Sequence, residues 1–331
     1  MRIDTHCHFI PKQYVEQDAS MPASTYAVRI ADGSGRVLQS LAARDVPGGD
    51  AEQVYSLERR VRDMDRLGVD VHVLSISPWL FAYHLDPATM VAVCRLLNDA
   101  FAAEIARRPD RFVALAHVPM QDAGAAAAEL ERCVRDLGFR GAEICSHING
   151  ANLDDPALAP FYRKAQELDV PVFIHPQQVL GADRLSRYHL ANLIGNPTDT
   201  AVAAASLIFG GVLQEFPRLQ FYLAHGGGTC PLLRGRWEHG WRVRPEAKQH
   251  IKRPPSEFFQ RFMFDSLTHS GEALDYLVRA VGAERVMLGS DYPADMADPD
   301  PVKSIQSVPS LTDPERQRIL GDNAAELFKI G

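Results

Sequence analysis

The sequence predicts an α/β protein whose parallel strands close into a (β/α)8 TIM barrel. Eight short apolar runs recur along the chain, and helical patterns lie between them. The runs mostly lack polar–apolar alternation, which is typical of parallel strands buried on both faces. The length of 331 residues fits one barrel with insertions. An open doubly wound sheet is the main alternative, although no GxGxxG motif follows the first strand.

The elements follow in order along the chain. Strands are predicted at 2–8, 69–75, 112–118, 141–145, 171–175, 219–225, 262–265 and 286–290. Before the second strand, Leu57, Val61, Met64 and Leu67 are spaced as one face of a helix, and Gly68 provides a stop signal. Further helices are predicted at 156–168, 199–216 and 272–281.

Two stretches exceed what a minimal barrel needs. Residues 12–55 lack a crossover-helix pattern and are rich in glycine, so we expect a small inserted flap after strand 1, over the barrel mouth. Residues 176–197 form a second excursion after the fifth strand. The whole chain, 1–331, is otherwise expected to be a single barrel domain.

Composition excludes several classes of partner. There are 35 basic and 42 acidic residues, a net charge of −7, so nucleic acid is not an expected partner. No apolar stretch reaches the roughly 20 residues that span a bilayer, and no polybasic run indicates a membrane surface. The charged N-terminus does not resemble a signal peptide, so a cytoplasmic location is expected. The five cysteines form no CxxC pair, which argues against disulfides and zinc fingers.

Candidate metal ligands lie at the ends of predicted strands. His6 and His8 are two residues apart on strand one, so their side chains point to the same side. His175, His225 and Asp291 end strands five, six and eight, and these ends meet at one barrel mouth. Isolated buried ionisable groups are costly, whereas a shared cation would explain all five. The alternative is a set of separate core histidines and a helix-capping aspartate.

The sequence around these candidate ligands resembles the amidohydrolase superfamily. Within the amidohydrolase-2 branch of that superfamily, it resembles the α-amino-β-carboxymuconate-ε-semialdehyde decarboxylases. The resemblance covers nearly the whole chain beyond the first loop. It is carried by DTHCHFIP (4–11), DMDRLGVDV (63–71), VPMQD (118–122), AHGGG (224–228) and LGSDYP (288–293).

The resemblance implies a role for each matching residue. The metal ligands would be His6, His8, His175 and Asp291, holding one divalent ion, with zinc favoured and manganese the alternative. His225 would be the catalytic histidine beside a metal-bound water, and Asp291 would help to relay the proton. Arg236 would reach the neighbouring subunit's site and hold a substrate carboxylate, which implies a homodimer. A solvated helix arginine is the simpler interpretation of Arg236.

Other positions bear on metal number and substrate. Strand four contains no lysine to bridge two ions, which favours one ion, while Glu143 is either a bridge or a structural carboxylate. Asp265 is expected behind the site or at a helix start. The family's Pro-Trp-Asp after the fifth-strand histidine is Pro-Gln-Gln here (176–178), so the muconate semialdehyde itself is not assumed as substrate. Four residues after the second strand are predicted to line a flat aromatic substrate pocket: Trp79, Phe81, Tyr83 and His84. The alternative is that they pack in the core or under the flap.

The resulting functional prediction is a metal-dependent, non-oxidative decarboxylase, a carboxy-lyase acting on a small aromatic or conjugated unsaturated carboxylic acid. The same ligands would serve a hydrolase or hydratase acting on an amide, lactone or double bond. A non-catalytic metal-binding protein is the third alternative. Aromatic compound catabolism is the expected setting.

Overall fold

The computed structural model describes residues 1–17, 19–46 and 49–331. Positions 18, 47 and 48 fall in the predicted flap (12–55), and there the prediction lies outside the described residues. Within the described ranges, no helix combines the length and apolarity needed to cross a membrane.

The strands are short and spread along the whole chain. They are β1 (Ile3–Phe9), β2 (Val15–Glu16), β3 (Thr25–Ala31), β4 (Val37–Asp45), β5 (Val71–Ile76), β6 (Phe112–Ala114), β7 (Ala116–His117), β8 (Ala142–Cys145), β9 (His147–Ile148), β10 (Ala151–Asn152), β11 (Val172–His175), β12 (Phe221–Leu223), β13 (Phe262–Asp265) and β14 (Val286–Met287).

Helices connect the parallel strands. They are α1 (Glu52–Tyr55), α2 (Leu57–Leu67), α3 (Pro87–Ile105), α4 (Ala123–Arg135), α5 (Ala159–Leu168), α6 (Asn196–Phe209), α7 (Val212–Glu215), α8 (Cys230–Val243), α9 (Pro255–Phe259), α10 (Gly271–Val281), α11 (Pro301–Gln306), α12 (Asp313–Gln317) and α13 (Asn323–Phe328).

Two parallel sheets carry the strands predicted from sequence. One has the order β1-β5-β6 and the other the order β14-β13-β12-β11-β8-β7. The predicted strand 112–118 is interrupted at Leu115, whose N–H donates to the carbonyl of Leu74 at 2.8 Å. The prediction of an α/β protein with parallel strands is therefore confirmed.

Residues between β1 and α1 form a separate antiparallel sheet. Its order is β2-β3-β4, and the register pairs Tyr26 with Arg44. The antiparallel arrangement fits the missing crossover helix, because adjacent antiparallel strands need only tight turns.

Helix α2 shows how local signals define an element. The Ser56 side chain accepts a hydrogen bond from the Arg59 N–H at 3.2 Å, and Gly68 ends the helix at φ 68°. The predicted stop at Gly68 is confirmed. The buried side chains include Leu57 and Met64, as the spacing predicts, but also Arg60 and Asp63.

The inward side chains of the parallel strands pack at one end of the fold. Phe173 and Tyr222 stack with ring centroids 4.2 Å apart, and Tyr222 meets Phe328 of α13 edge-on at 5.7 Å. This apolar layer leaves the carboxyl ends of the strands, where the predicted site residues lie, at the other end.

Candidate metal centre

Four of the predicted site residues form one buried cluster. The ligand atoms of His6, His8, His175 and Asp291 all lie within 4.8 Å of one another. The Asp291 Oδ1 atom is 3.3 Å from His6 Nε2 and 3.1 Å from His8 Nε2, and those two nitrogens are 3.2 Å apart. Three imidazoles and a carboxylate are a donor set that suits a divalent ion.

The opposite nitrogen of each imidazole is already engaged. The Nδ1 atom of His6 lies 2.6 Å from Asp265 Oδ2, and that of His8 lies 3.1 Å from both Ser75 Oγ and the Ile76 carbonyl. The Nδ1 atom of His175 lies 2.9 Å from the Pro176 carbonyl. Acceptors at Nδ1 leave each Nε2 free to face the centre, as metal-binding histidines require.

One buried nitrogen in the cluster has no protein partner. His175 Nε2 makes no hydrogen bond to any described residue, although the side chain is buried. A buried polar atom without a partner is costly. An ion at the centre of the cluster would satisfy it, so the residues present fit a metal.

Burial and close packing also shift the pKa values of the clustered residues. Burial lowers the pKa of His6, but the carboxylates of Asp291 and Asp265 outweigh it and raise the pKa to about 10. Burial lowers the pKa of His8 and of His175. Burial also works to raise the pKa of Asp291, yet the surrounding imidazoles hold it well below its usual value. Several titratable groups thus share one low-dielectric space.

His225 stands beside this cluster. It follows β12 with φ 58°, and its Nε2 lies 3.6 Å from Asp291 Oδ2. The two oxygens of Asp291 therefore face different partners, Oδ1 the His6–His8 pair and Oδ2 His225. The His225 side chain is 15% exposed, whereas that of His6 is completely buried. His225 is thus placed where a proton could be exchanged with a bound molecule.

Asp265 connects the cluster to the His225 loop, a role that sequence analysis left open. Besides facing His6, its carboxylate accepts hydrogen bonds from the N–H groups of His225 at 2.8 Å, Gly226 at 2.7 Å and Leu267 at 3.1 Å. Its position at the end of β13, next to the strand that leads to Asp291, was the available signal.

A cavity of about 520 Å³ opens above the cluster, within the range of small-molecule sites. His8, His175 and Asp291 lie on its wall. Residues from other segments complete the lining, among them Tyr26, Asp45, Val46, Trp79, Gln177, Gln178, Asn192 and Asn196. A neighbouring cavity of about 570 Å³ shares Asn192 and Asn196 and is lined by His225.

The structure separates the residues predicted to bind substrate. Trp79 lines the cavity, is 46% exposed, and lies 4.1 Å below the Arg44 guanidinium. Phe81 and Tyr83 are buried in the core, stacked with centroids 5.7 Å apart, which matches the packing alternative. His84 is exposed.

Arg236 lies on α8 and is also exposed. The structure contains one chain, so the predicted reach of this arginine into a neighbouring site stays a prediction.

Comparison with known proteins agrees with this geometry. The sequence model described as Amidohydrolase matches residues 3–330, and the chain therefore belongs to the amidohydrolase family. The predicted family is thus confirmed.

Individual relatives span most or all of the chain. A 2-amino-3-carboxymuconate-6-semialdehyde decarboxylase of Dictyostelium discoideum is 35% identical over 100% of this chain and 92% of its own length. A gamma-resorcylate decarboxylase of a Rhizobium species is 32% identical over 82% of this chain and 87% of its own.

A solved structure extends the comparison to the fold. The dihydroxybenzoic acid decarboxylase of a Polaromonas species, with bound manganese and the inhibitor 2-nitroresorcinol, superposes with a TM-score of 0.82. It is 26% identical, and the match covers 99% of this chain and 97% of that one.

Proposed function

We propose that the protein is a metal-dependent, non-oxidative decarboxylase of an aromatic or conjugated unsaturated carboxylic acid. The observation that carries this proposal is the convergence of His6, His8, His175 and Asp291 beside a cavity that the last three line, with His225 near Oδ2 of Asp291. The relatives are carboxy-lyases by name, in agreement with the enzyme class predicted from sequence.

One divalent ion would be held by the four clustered residues. The ligand types favour zinc, and the manganese bound by the Polaromonas relative supports testing both ions. When bound, the ion supplies positive charge that polarises substrate oxygens and stabilises the electrons left as CO2 departs.

The chain's own residues would manage the proton. Decarboxylation breaks the bond between the carboxylate and a substrate carbon, releases CO2 and adds one proton to that carbon. His225 can donate this proton from Nε2, because its ring is partly exposed and lines the neighbouring cavity, which shares Asn192 and Asn196 with the cavity above the cluster. Asp291 Oδ2, at 3.6 Å, would orient the imidazole and help to relay the proton.

Trp79 is the predicted substrate-binding residue whose position best supports that role. Its indole lies on the cavity wall under the Arg44 guanidinium, so it could pack against a flat ring. The buried Phe81 and Tyr83 would act only by supporting this wall, and His84 is exposed.

We propose a homodimer in which Arg236 completes the neighbouring site. Its exposed guanidinium suits bidentate binding of a carboxylate. Mixing Arg236→Ala with His225→Ala chains tests this, since each mixed dimer would contain one intact site. Recovery of about a quarter of wild-type activity after random reassortment is expected in a two-fold dimer. No recovery despite demonstrated subunit exchange would contradict the shared site.

We also propose that the parallel strands close into one (β/α)8 barrel domain covered by a flap at 12–55. Closure is supported by backbone hydrogen bonds from Thr5 N–H to the Leu288 carbonyl and from Asp291 N–H to the His6 carbonyl. Tyr26, Asp45 and Val46 on the cavity wall support the flap. A cytoplasmic location stays a prediction.

The decisive experiment measures CO2 release by protein loaded with Zn²⁺ or Mn²⁺. Hydroxybenzoates, hydroxypicolinates and muconate semialdehydes are the substrates to compare. We expect CO2 with at least one class, and incorporation of deuterium at the former carboxyl position in D2O. Protein treated with a chelator serves as the control.

Analysis of the products distinguishes a decarboxylase from a hydratase or hydrolase. A new hydroxyl or carboxylate without CO2 would instead establish a hydratase or hydrolase that uses the same ligands. Full activity in demonstrably metal-free protein would contradict the proposed metal site.

A further inference from the structure

The seam between β1 and the segment after β14 contributes three of the four clustered residues. His6 and His8 lie on β1, whereas Asp291 follows β14. Three backbone hydrogen bonds join the two sides: Thr5 N–H to the Leu288 carbonyl, Asp291 N–H to the His6 carbonyl and His8 N–H to the Tyr292 carbonyl, the last at 2.8 Å. Cys7 and Tyr292 form a parallel bridge between them. These bonds fix the two main chains, whereas the separation of the His8 and Asp291 side chains also depends on what packs behind the seam.

Arg60 of α2 packs directly behind this seam. Its side chain is fully buried, and its Nη2 donates to the His8 carbonyl at 2.6 Å and to the Gln53 carbonyl at 3.1 Å. Burying a guanidinium is costly, and an apolar side chain would fill the same volume more cheaply. The charge of Arg60 is therefore not explained by packing alone. Its short hydrogen bond is made to the main chain of His8, a predicted metal ligand.

The same helix contacts the other side of the seam. The Arg60 guanidinium lies 4.5 Å from the centre of the Tyr292 ring, and the Tyr292 hydroxyl donates to Asp63 Oδ2 at 2.8 Å. Asp63 is held in turn by Arg59 Nε at 3.0 Å. Residues 60 and 63 are neighbours on one helix face, so a single turn of α2 contacts both sides of the seam.

We propose that Arg60 and Asp63 are positioning residues for the metal ion. Through the His8 carbonyl and the Tyr292 side chain, they hold His8 and Asp291 at the separation that one ion requires. The ligand atoms involved, His8 Nε2 and Asp291 Oδ1, are 3.1 Å apart. The inference rests on the metal site of the proposed function, but it concerns ion binding rather than the reaction.

The test compares two arginines that both bind backbone carbonyls. Arg261 precedes β13 at the strand end away from the site, and its Nη2 donates to the carbonyls of Phe216 and Leu219, each at 3.1 Å. Mn²⁺ affinity is measured from the electron paramagnetic resonance signal of free Mn²⁺. Urea unfolding of metal-free protein reports stability separately.

Arg60→Met is expected to raise the Kd for Mn²⁺ about 10- to 100-fold, the usual effect of losing a group behind a metal ligand. Arg261→Met should leave the Kd within about twofold, since distant sites act independently. Each variant leaves buried or partly buried backbone carbonyls without their arginine donor, and the urea measurement separates that cost from the effect on ion binding. A folded Arg60→Met protein with wild-type Kd, or an equal loss of affinity in both variants, would overturn the proposal.

Tyr292→Phe decides the matter if Arg60→Met does not fold. It removes one hydroxyl and keeps the ring, and we expect weaker Mn²⁺ binding together with an altered zero-field splitting of bound Mn²⁺. An unchanged spectrum and affinity would refute a positioning role. If Arg60→Met weakens Mn²⁺ binding as expected but the wild-type protein releases no CO2, only the proposed function is contradicted.

Discussion

At the scale of single residues, Asp291 and Asp265 divide the work of orientation. Asp291 faces His6 and His8 with Oδ1 and His225 with Oδ2. Asp265 holds His6 through its ring and His225 through its backbone N–H. The candidate acid–base group is therefore tied to the metal cluster at both its ring and its main chain, although its own ring faces a cavity.

Replacing His225 should separate proton transfer from metal binding. We expect His225→Ala to retain nearly normal metal content and to lose about 10²-fold or more in kcat, the scale of a missing acid–base group. His269→Ala is the matched control, because His269 lines the same cavity and also has positive φ, 55°. Loss of the metal from His225→Ala would instead identify His225 as a ligand.

At the scale of elements, the glycine loop after β12 places His225. Gly227 and Gly228 have φ of 75° and 58°, values that are strained for residues with a side chain. A Cβ at Gly228 would lie 2.1 Å from the Pro197 carbonyl oxygen at the start of α6. The loop can pass this close to α6 only without a side chain.

Gly228→Ala should therefore destabilise the fold and displace His225. We expect a loss of at least about 1–2 kcal/mol in unfolding free energy from the positive-φ backbone alone, with a lower kcat. Gly235→Ala on α8 is the control: nothing lies within 4 Å of its added Cβ, and helix propensity should add about 0.5–1 kcal/mol. Urea unfolding measures both, and equal stabilities would contradict the close approach.

At the scale of the whole molecule, buried imidazoles link stability to pH. His117 on β7 is 2% exposed, and both of its ring nitrogens are buried. Burial lowers the pKa of His117 to about 4 from its usual 6.5. Between pH 6.5 and pH 4, His117 binds a proton in the unfolded chain but not in the folded chain. Stability is therefore lost as the pH falls from 6.5 towards 4.

His117→Gln should remove this contribution. Between pH 7 and pH 4, metal-free wild type is expected to lose about 3 kcal/mol more unfolding free energy than the variant. Urea titrations at several pH values measure it. The exposed His239→Gln serves as the control and should run parallel to wild type. A His117→Gln profile also parallel to wild type would contradict the assigned pKa.

Local patterns in the sequence determined the parallel α/β strands, the end of α2 at Gly68 and the alternation that points His6 and His8 the same way. Chain order then placed His175, His225 and Asp291 at strand ends, where parallel strands bring side chains to one edge. The family match extends this to the whole chain. These features depend on residue spacing, which a sequence displays directly.

Only the tertiary structure decided which side chains support the cluster and which line the cavity. Asp265 meets His6 across 259 positions, and Arg60 reaches the His8 carbonyl across 52. In sequence, Arg60 is one of several charges on a polar helix, and Phe81 is as plausible a pocket residue as Trp79. Burial and long-range hydrogen bonds distinguish them, because both arise from packing between elements far apart in the chain.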